Sequence, residues 1–398
     1  MNIQQKESKY LMQTYKRNDL VVNKAKGQFI WDEKGKKYLD FFSGISVCNL
    51  GHGNDAVIKA AKKQLDSFSH VSNLYYVSPQ INLGEELVKR SFKGGKVFLA
   101  NTGAEANECA IKLSRKWGSL NPSKNGKKRY EVISFDNSFH GRTMATMSAT
   151  GQPKFHEYLK PLQDKFVFAQ FNNIESVKKL VNEKTVAVMI EPVQGEGGIV
   201  IASKKFLKEL RALCDEKNIL LIFDEIQSGM GRTGKFYAFE HYGVKPDIVT
   251  LAKSLANGLP LGAAVANKKC ADSFVYGDHG STFGGNPVSC AAALAVLKEM
   301  NGKLLNNSLK TAKYFYSKLD SLKKKYKIIK EVRGIGLMIG VELHAPGKDI
   351  VAQCLKNGLI INCTQDNVLR MLPPLTITKK DVDAAVKVLD KAFSVLEK

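Results

Sequence analysis

An acid and an amine stand at the ends of two apolar segments in the middle of the chain. Asp224 follows ILLIF, and Lys253 closes DIVTLAK, 253 − 224 = 29 residues later. In open α/β sheets, ligands bind at the carboxyl ends of the strands, so both side chains are expected to face one crevice. A desolvated lysine in such a place can form an imine with a carbonyl group. A helix-capping acid and a solvated surface lysine are the ordinary alternatives.

A second feature is a turn that is suited to anions. In ANTGAEANE, at Ala100–Glu108, a strand ends and Thr102, Gly103 and Ala104 lead into a helix. Free backbone N–H groups at a helix start, together with the positive end of the helix dipole, bind phosphate well. An ordinary strand-to-helix connection has the same sequence features, so the turn alone does not establish a site.

A histidine and an arginine form the third candidate group, in NSFHGRT. His140 and Arg142 have polar and aromatic neighbours rather than apolar ones. The planar fork of an arginine suits a substrate carboxylate. A hydrogen-bonded structural histidine and a surface ion pair are the alternatives here.

A glycine-rich segment, GMGRTGKF at Gly229–Phe236, matches the G-x-G-x-x-G pattern and nearly matches a P-loop. A P-loop requires Ser or Thr after its lysine, and Phe236 stands there. The dinucleotide pattern opens a helix within the first βαβ unit, whereas this match lies mid-chain. We therefore interpret its glycines as residues that let the backbone bend sharply near a site.

These candidate residues need a sheet and helices to position them. Apolar runs without alternation are typical of strands covered on both faces, and the amphipathic stretches between them indicate helices. The pattern predicts an α/β fold with a mostly parallel central sheet and helices on both sides. The predicted strands are KVFLA, EVISF, VAVMI, ILLIFD and DIVTLA, and the predicted helices include Ala104–Trp117 and Lys204–Lys217.

The two ends of the chain have a different pattern. A helix is expected from Leu304 to about Tyr326, followed by strands GLMIGVEL, GLIIN and VLRML and a final helix at Lys379–Leu396, which together indicate a smaller α+β unit. Near the N-terminus, GQFIWDEKGKKYLDF predicts two strands around a turn at Glu33–Gly35. We therefore divide the chain into an N-terminal segment (1–55) that packs with the small domain, a large domain (56–290) and the small domain (291–398).

Composition argues against several classes of protein. The formal net charge is +22, but the lysines are spread along the chain without a basic stripe, so no nucleic-acid partner is expected. No apolar run reaches the roughly eighteen residues of a membrane span. The seven cysteines form no C-x-x-C pair, so neither a metal site nor a disulfide framework is expected, and a cytoplasmic location fits best.

Taken together, these segments resemble the class III aminotransferases of fold type I, which depend on pyridoxal 5'-phosphate. The resemblance implies a large cofactor-binding domain, a smaller α+β domain and a homodimer with shared active sites. It extends from about Tyr10 to the C-terminal helix, and the matching motifs follow the family's order: YLDFFSGISVCNLGHG, ANTGAEANE, SFHGRT, EPVQGEGG, DEIQSGMGRTG, TLAKSLANGLPLGA, GSTFGGNP and LRMLPPL.

The resemblance also implies which residues hold the cofactor and perform catalysis. Lys253 matches the lysine that carries the cofactor as a Schiff base, and Asp224 matches the acid that pairs with its pyridine nitrogen. Thr282 matches a phosphate ligand that the partner subunit donates. The remaining implied cofactor contacts are the phosphate-binding turn, a ring-stacking aromatic and two residues after Asp224: Gly103, Ala104, Phe139, Glu225 and Gln227.

Four further residues are implied to contact or admit the substrate. Arg142 matches the arginine that binds the α-carboxylate, and Ser281 lies near the substrate in the family. Glu196 and Arg370 match a pair that gates how dicarboxylate and monocarboxylate substrates sit.

Within the class, similarity is greatest to enzymes that transfer the terminal amino group of N2-acetyl-L-ornithine to 2-oxoglutarate in arginine biosynthesis. Ile45 stands where ornithine aminotransferases carry a tyrosine, although 4-aminobutyrate aminotransferases also carry an apolar residue there. Ornithine, 4-aminobutyrate and succinyl-diaminopimelate are the alternative donors. Two alternatives come from other classes: an aminomutase of the glutamate-semialdehyde type, which needs no keto-acid acceptor, and a basic nucleic-acid-binding protein, which needs no cofactor.

Overall fold

The chain begins with a surface helix and three antiparallel strands. The structure, a computed structural model, describes residues 1–396. Helix α1 has no buried residue, and β2 and β3 form the hairpin that the sequence predicts. The elements of this segment are α1 (Ile3–Tyr10), β1 (Val22–Lys26), β2 (Phe29–Asp32), β3 (Lys37–Asp40) and a single turn, α2 (Ser43–Ser46).

The turn α2 is left-handed. The residues of Ser43–Ser46 have φ angles of 51°, 64°, 65° and 62° in chain order. This conformation costs about 1–2 kcal/mol for a residue with a Cβ, so it persists only where surrounding contacts hold it. At its entry, the Asp40 carboxylate accepts hydrogen bonds from the backbone N–H groups of Phe42 and Ser43, both at 2.9 Å.

A seven-stranded sheet lies at the centre of the next unit, in the order β4-β12-β11-β10-β7-β5-β6. Pairing is parallel from β11 to β6, and β12 is antiparallel to both neighbours. The α/β prediction and all five predicted strands are confirmed. Along β10, Leu221 and Phe223 belong to one apolar cluster and Leu220 and Ile222 to another, because helices cover both faces.

The bounds of this unit follow in chain order. The elements are α3 (Asp55–Ser67), α4 (Ser78–Ser91), β4 (Lys96–Ala100), α5 (Gly103–Leu120), β5 (Glu131–Phe135), α6 (Met144–Ser148), β6 (Phe166–Ala169), α7 (Ile174–Leu180), β7 (Thr185–Ile190), β8 (Val193–Gln194), β9 (Val200–Ile201), α8 (Lys204–Glu216), β10 (Leu220–Asp224), β11 (Ile248–Leu251), β12 (Gly262–Ala266) and α9 (Pro287–Glu299).

The C-terminal unit is a four-stranded antiparallel sheet with three helices. Its sheet order is β13-β14-β17-β16, while β15 pairs in parallel with β3, so the N-terminal strands share a sheet with this unit. The predicted domain boundaries themselves stay a prediction, and residues 397–398 of the last domain lie outside the described range. The elements are α10 (Gly302–Lys325), β13 (Ile329–Ile335), β14 (Met338–Leu343), α11 (Lys348–Lys356), β15 (Leu359–Ile360), β16 (Asn362–Thr364), β17 (Val368–Met371) and α12 (Lys379–Leu396).

The carboxyl ends of β7, β10 and β11 meet at one edge of the central sheet. Glu191 follows β7 and Asp224 ends β10. Lys253 does not close β11 as the sequence suggested: the strand ends at Leu251, and Lys253 begins a short 3-10 helix with a φ of 46°. Within residues 1–396, no helix is long and apolar enough to cross a membrane, and no His, Cys, Asp and Glu cluster could hold a metal ion.

Candidate active site

A cavity of about 510 Å³ opens at this edge of the sheet. That volume lies within the usual range for a pocket that holds a cofactor or a small ligand. The structure brings eight of the twelve residues that the resemblance implies to its wall, together with His140: Gly103, Ala104, Phe139, Arg142, Glu196, Asp224, Gln227 and Lys253.

Asp224 is fixed at the deep end of the cavity by three hydrogen bonds. Its Oδ2 accepts from Asn107 Nδ2 and from His140 Nδ1, both at 2.8 Å, and its Oδ1 accepts from the Ile226 N–H at 3.0 Å. Asn107 is itself held by the hydroxyl of Thr250, which donates to Asn107 Oδ1 at 2.7 Å. The carboxylate therefore has one orientation, and His140 is part of the site.

Lys253 places a free amine on the wall of the cavity. Its amine forms no hydrogen bond or ion pair with any residue of the described chain. Burial lowers the pKa of the Lys253 amine, although the negative charge of Glu196 acts in the opposite direction. A less basic lysine is unprotonated more of the time, and only the unprotonated amine attacks a carbonyl group.

The turn before α5 presents two unpaired N–H groups. Glu105 Oε2 accepts the backbone N–H groups of Asn101 at 2.7 Å and Thr102 at 2.9 Å, and the Thr102 hydroxyl accepts that of Glu105 at 3.2 Å. The N–H groups of Gly103 and Ala104 have no partner among the residues that the structure describes. They stand at the start of an 18-residue helix, where backbone donors and the helix dipole favour an anion.

Glu196 and Arg370 form an ion pair at the mouth of the cavity. Arg370 Nη1 lies 2.6 Å from Glu196 Oε1, and the two side chains are 1% and 28% exposed respectively. Arg370 Nη1 also donates to the Gly195 carbonyl at 3.2 Å, and its Nε donates to Asn362 Oδ1 at 3.1 Å. Although burial acts in the opposite direction, the charges of Arg370 and Lys253 lower the pKa of Glu196.

Phe139 and Arg142 line another part of the cavity, and Phe155 packs against both. The rings of Phe139 and Phe155 meet edge to face with centroids 6.0 Å apart. The Arg142 guanidinium lies 4.0 Å from the Phe155 centroid and 5.7 Å from the Phe139 centroid. Arg142 is exposed and has no ion-pair partner among the described residues, so its fork is available to a carboxylate.

The structure corrects the expected cofactor contact of Glu225. Successive side chains of a strand point to opposite faces, so Glu225 faces away from the cavity that Asp224 lines. Its buried carboxylate accepts the backbone N–H groups of Ala238 at 2.6 Å and Phe239 at 2.8 Å. Burial raises the pKa of Glu225 to about 8. Glu225 therefore fixes the chain after β10 rather than binding a ligand.

Ser281 and Thr282 lie outside the cavity, in a second surface cavity of about 510 Å³. Ser281 Oγ accepts Asn101 Nδ2 at 3.1 Å, and Asn101 lines the first cavity, so the two cavities are neighbours. Thr282 is exposed. The structure therefore does not bring Thr282 to the wall of the first cavity.

Sequence reasoning missed Glu191, which also lines the cavity. Its carboxylate accepts the N–H groups of Phe139 at 2.9 Å and Gly195 at 3.2 Å, so it joins two walls of the site. Burial raises the pKa of Glu191 to about 7; the His140 ring opposes this and the Asp224 charge adds to it. The strand-end rule that selected Asp224 applies equally to VAVMIE, whereas Asn107 carries no comparable signal because it lies inside a helix.

Comparison with known proteins places the chain in one family. The family described as aminotransferase class-III matches residues 11–393. The acetylornithine aminotransferase of Methanocaldococcus jannaschii is 50% identical over 393 residues, covering 98% of each chain. The chain belongs to the class III aminotransferases. Another relative, the acetylornithine aminotransferase of Caldanaerobacter subterraneus subsp. tengcongensis, is 48% identical over 390 residues, again covering 98% of each chain.

Solved structures of aminotransferases share the whole fold. The ornithine aminotransferase of Toxoplasma gondii superposes with a TM-score of 0.93 at 32% identity, covering 99% of this chain and 94% of that one. The N-acetylornithine aminotransferase of Stenotrophomonas maltophilia superposes with a TM-score of 0.84 at 34% identity, covering 98% of each chain. Pyridoxal phosphate partially occupies the active site of the Toxoplasma enzyme crystallised with oxidised glutathione. This class III aminotransferase is a pyridoxal-phosphate-dependent transaminase.

The groups in the cavity are chemically complementary to that cofactor. A phosphate needs N–H donors, which Gly103 and Ala104 leave unpaired. A protonated pyridine nitrogen needs a carboxylate, which Asp224 offers, and an aldehyde needs a free amine, which Lys253 offers on the wall of the same cavity. The class III aminotransferase site thus fits its cofactor in charge and in hydrogen bonding.

Proposed function

We propose that this aminotransferase moves the terminal amino group of N2-acetyl-L-ornithine to 2-oxoglutarate, giving N-acetylglutamate 5-semialdehyde and glutamate. The observation that carries the proposal is the 48–50% identity, over nearly the whole chain, to relatives that are acetylornithine aminotransferases. The apolar Ile45 agrees with it, because ornithine aminotransferases carry a tyrosine there. Ornithine, 4-aminobutyrate and succinyl-diaminopimelate are the alternative donors.

The proposed roles at the deep end follow from the contacts there. Pyridoxal phosphate supplies, when bound, an electron sink for a carbanion. Gly103 and Ala104 would hold its phosphate, Phe139 would pack on its ring and Gln227 would contact its phenolic oxygen. Asp224 keeps a proton on the pyridine nitrogen by charge. Lys253 would be the attachment point of the cofactor, and its Nζ as a free amine would take a proton from the reacting carbon and return it.

The mouth of the cavity distinguishes the two substrates. Arg142 binds the carboxylate that donor and acceptor share. While Glu196 neutralises Arg370, the site suits a donor with a single carboxylate. The acceptor 2-oxoglutarate has a second carboxylate, and Arg370 can bind it once Glu196 swings away. Because Glu196 is 28% exposed and Arg370 only 1%, the glutamate is the partner with room to move.

The active unit is proposed to be a homodimer in which Thr282 serves its partner's cofactor. An exposed apolar patch surrounds this loop, with Leu74, Tyr75, Tyr76 and Phe283 being 87%, 68%, 100% and 59% exposed. Asn73 ties the two parts of the patch together by donating to the Ser281 carbonyl at 2.8 Å. Contiguous exposed apolar side chains mark an interaction surface.

Mixed dimers test this arrangement. Lys253→Ala and Thr282→Ala subunits, co-expressed with different tags, are assayed under limiting pyridoxal phosphate. If Thr282 acts across the interface, each mixed dimer has one intact site and recovers up to about half of the wild-type activity. No recovery would place Thr282 in its own subunit's site, provided that Thr282→Ala alone is strongly impaired at low cofactor.

A panel of amine donors tests the proposed reaction. Purified holoenzyme is assayed with N-acetylornithine, ornithine, 4-aminobutyrate and succinyl-diaminopimelate, each with and without 2-oxoglutarate. The highest kcat/KM is expected for N-acetylornithine, and no turnover without the acceptor. A higher value for another donor reassigns the substrate, and turnover without acceptor indicates an aminomutase.

Location and the absence of a nucleic-acid partner stay predictions. All seven cysteines are free thiols, which supports the proposed cytoplasmic location because disulfides are rare there.

A further inference from the structure

The glycine-rich segment Gly229–Phe236 contains Arg232, which with Arg370 is one of the two largest fully buried side chains of the described chain, at 0% exposure. No carboxylate lies within ion-pair distance of its guanidinium among residues 1–396. Burial lowers the pKa of the Arg232 guanidinium, and no neighbouring negative charge opposes this effect. Burying a cation without an anion costs free energy of folding. The neutral hydrogen-bond acceptors around Arg232 must therefore offset this cost.

Those acceptors come from three separate segments. Arg232 Nε donates to Ser46 Oγ at 2.8 Å, and its Nη2 donates to Asn49 Oδ1. Its Nη1 donates to the carbonyl groups of Leu337 at 2.9 Å and Pro373 at 2.6 Å. One guanidinium thus joins the N-terminal segment beside α2 to the turn between β13 and β14 and to the loop after β17.

The flanking glycines allow the backbone to reach this position. Gly231 has a φ of +81°, and a Cβ there would lie 2.8 Å from the side chains of Leu305 and Leu375. Gly234 has a φ of +89°, and a Cβ there would lie 2.1 Å from Leu309. Both positions exclude other residues by conformation and by space. The pattern that resembles a nucleotide-binding loop therefore serves to insert Arg232 between three segments.

The turn that Arg232 holds leads into the substrate cavity. Ser46 is the last left-handed residue of α2, and the next residue, Val47, lines the cavity. Ile45 packs against the apolar cluster that contains Met338 and Leu372. That cluster lies beside the Glu196–Arg370 pair, since β14 and β17, which carry Met338 and Arg370, are neighbours in the sheet. Without the guanidinium, the strained turn loses the donor that holds Ser46.

We propose that Arg232 is a positioning residue: through Ser46 and Asn49 it fixes α2, and α2 sets the apolar wall at Val47 against which the uncharged part of the amine donor packs. The inference rests on the proposed function, because it concerns the donor side of that site. It predicts an effect on the choice among donors. The keto-acid acceptor is bound mainly by charge, so its KM depends less on this wall.

The test compares two serine variants. Ser46→Ala removes the hydroxyl that accepts from Arg232, and Ser308→Ala is the matched control, since Ser308 is also buried and hydrogen-bonded but lies in α10. The holoenzymes are assayed for kcat/KM with N-acetylornithine, ornithine and 4-aminobutyrate, for the KM of the keto-acid acceptor, and for Tm. Ser46→Ala is expected to change the ratio between donors by about five- to ten-fold, as for loss of one charge-assisted hydrogen bond, with less than about a two-fold change in KM for the acceptor.

Two more variants separate the hydrogen bond from the strain. Ser46→Gly also lacks the hydroxyl but relieves the left-handed strain, so the same change of donor ratio assigns the effect to the hydrogen bonds of the hydroxyl, which accepts from Arg232 and also reaches Asn49 Oδ1 at 3.2 Å and the Gln227 carbonyl at 3.5 Å. Arg232→Lys keeps the charge but cannot reach all four acceptors, and it should change the ratio in the same direction. If it does not fold, the serine variants decide. A lower Tm in Ser46→Ala with donor ratios within about two-fold of wild type overturns the proposal.

This outcome is independent of the donor panel. The best donor of the wild-type enzyme decides the proposed function. The variant-to-wild-type change of the ratio decides the role of Arg232, whichever donor is best.

Discussion

Glu191 and Glu196 lie 196 − 191 = 5 residues apart in EPVQGE, and both line the cavity, yet their surroundings are opposite. Glu191 is fully enclosed at the deep end, where backbone N–H groups are its hydrogen-bond donors, and burial raises its pKa. Glu196 is partly exposed at the mouth, where Arg370 lowers its pKa despite burial.

The same contrast separates the Asp224–His140 contact from the Glu196–Arg370 ion pair. Asp224 and His140 are 3% and 0% exposed and lie within a set of further hydrogen bonds. Glu196 is 28% exposed, and apart from Arg370 its carboxylate contacts, among residues 1–396, only Gln227, at 3.4 Å. A fixed deep end suits a resident cofactor, and a mobile pair at the mouth suits two substrates that must exchange. Changes at the deep end should therefore reduce turnover, and changes at the mouth should alter substrate binding.

A change at Lys253, whose pKa is influenced by charges from both glutamates, should show the largest effect. Lys253→Ala removes both the attachment point and the proton carrier, so kcat is expected to fall by about 10²- to 10⁴-fold. Steady-state kinetics measures the loss, with Lys268→Ala, a change at an exposed lysine, as the control. Borohydride reduction of the wild-type enzyme, followed by peptide mapping, should place the cofactor on Lys253. An adduct on a different lysine would refute the assignment.

Asp224→Asn should cause the next largest loss of turnover. The amide has nearly the same shape but no charge, so it cannot keep a proton on the pyridine nitrogen, and kcat should fall by about 10²- to 10³-fold. The turn at Gly103 and Ala104 should still retain the cofactor, as absorbance of the purified variant would show. Near-normal turnover would mean that the deep end does not act through charge.

The sequence predicted this deep end better than it predicted the mouth. Buried strands such as β10 have continuous apolar runs, and Asp224 follows directly from the rule that ligands meet strand ends. The direction of Glu225 was missed because a one-residue step reverses the face of a strand. The left-handed turn at Ser43–Ser46 could not be predicted, since only glycine favours that conformation locally and the contacts that hold it, such as Arg232, come from distant segments.

Glu196→Gln should have a smaller effect than Asp224→Asn, and it should change substrate binding rather than turnover. The neutral side chain leaves Arg370 without its counter-charge, so 2-oxoglutarate should bind more tightly and the KM of the monocarboxylate donor should rise, each by about ten-fold. The single-turnover rate at saturating donor should change little. A loss of kcat as large as that of Asp224→Asn would show that the mouth and the deep end act as one unit.

The smallest expected effect is a pH dependence of stability that distinguishes the two glutamates. Glu191 has a folded-state pKa of about 7, above the value of 4.5 for the unfolded chain, so its contribution to stability is fully present below about pH 4.5 and is lost as the pH rises through 7. Glu191→Gln, which is neutral at every pH, should therefore gain roughly 2 kcal/mol relative to wild type between pH 5 and pH 8. The hydrogen bond that its amide cannot accept adds an offset that does not vary with pH, so the change across pH is the diagnostic quantity.

Glu196→Gln is the matched comparison for this pH dependence. Glu196 has a lowered pKa, and its contribution to stability is present above 4.5 and lost only as the pH falls further. The difference in unfolding free energy between Glu196→Gln and wild type should thus be constant from pH 5 to pH 8. Chemical denaturation of the cofactor-free proteins at several pH values measures both variants, and parallel curves for the two would contradict the difference in environment between the deep end and the mouth.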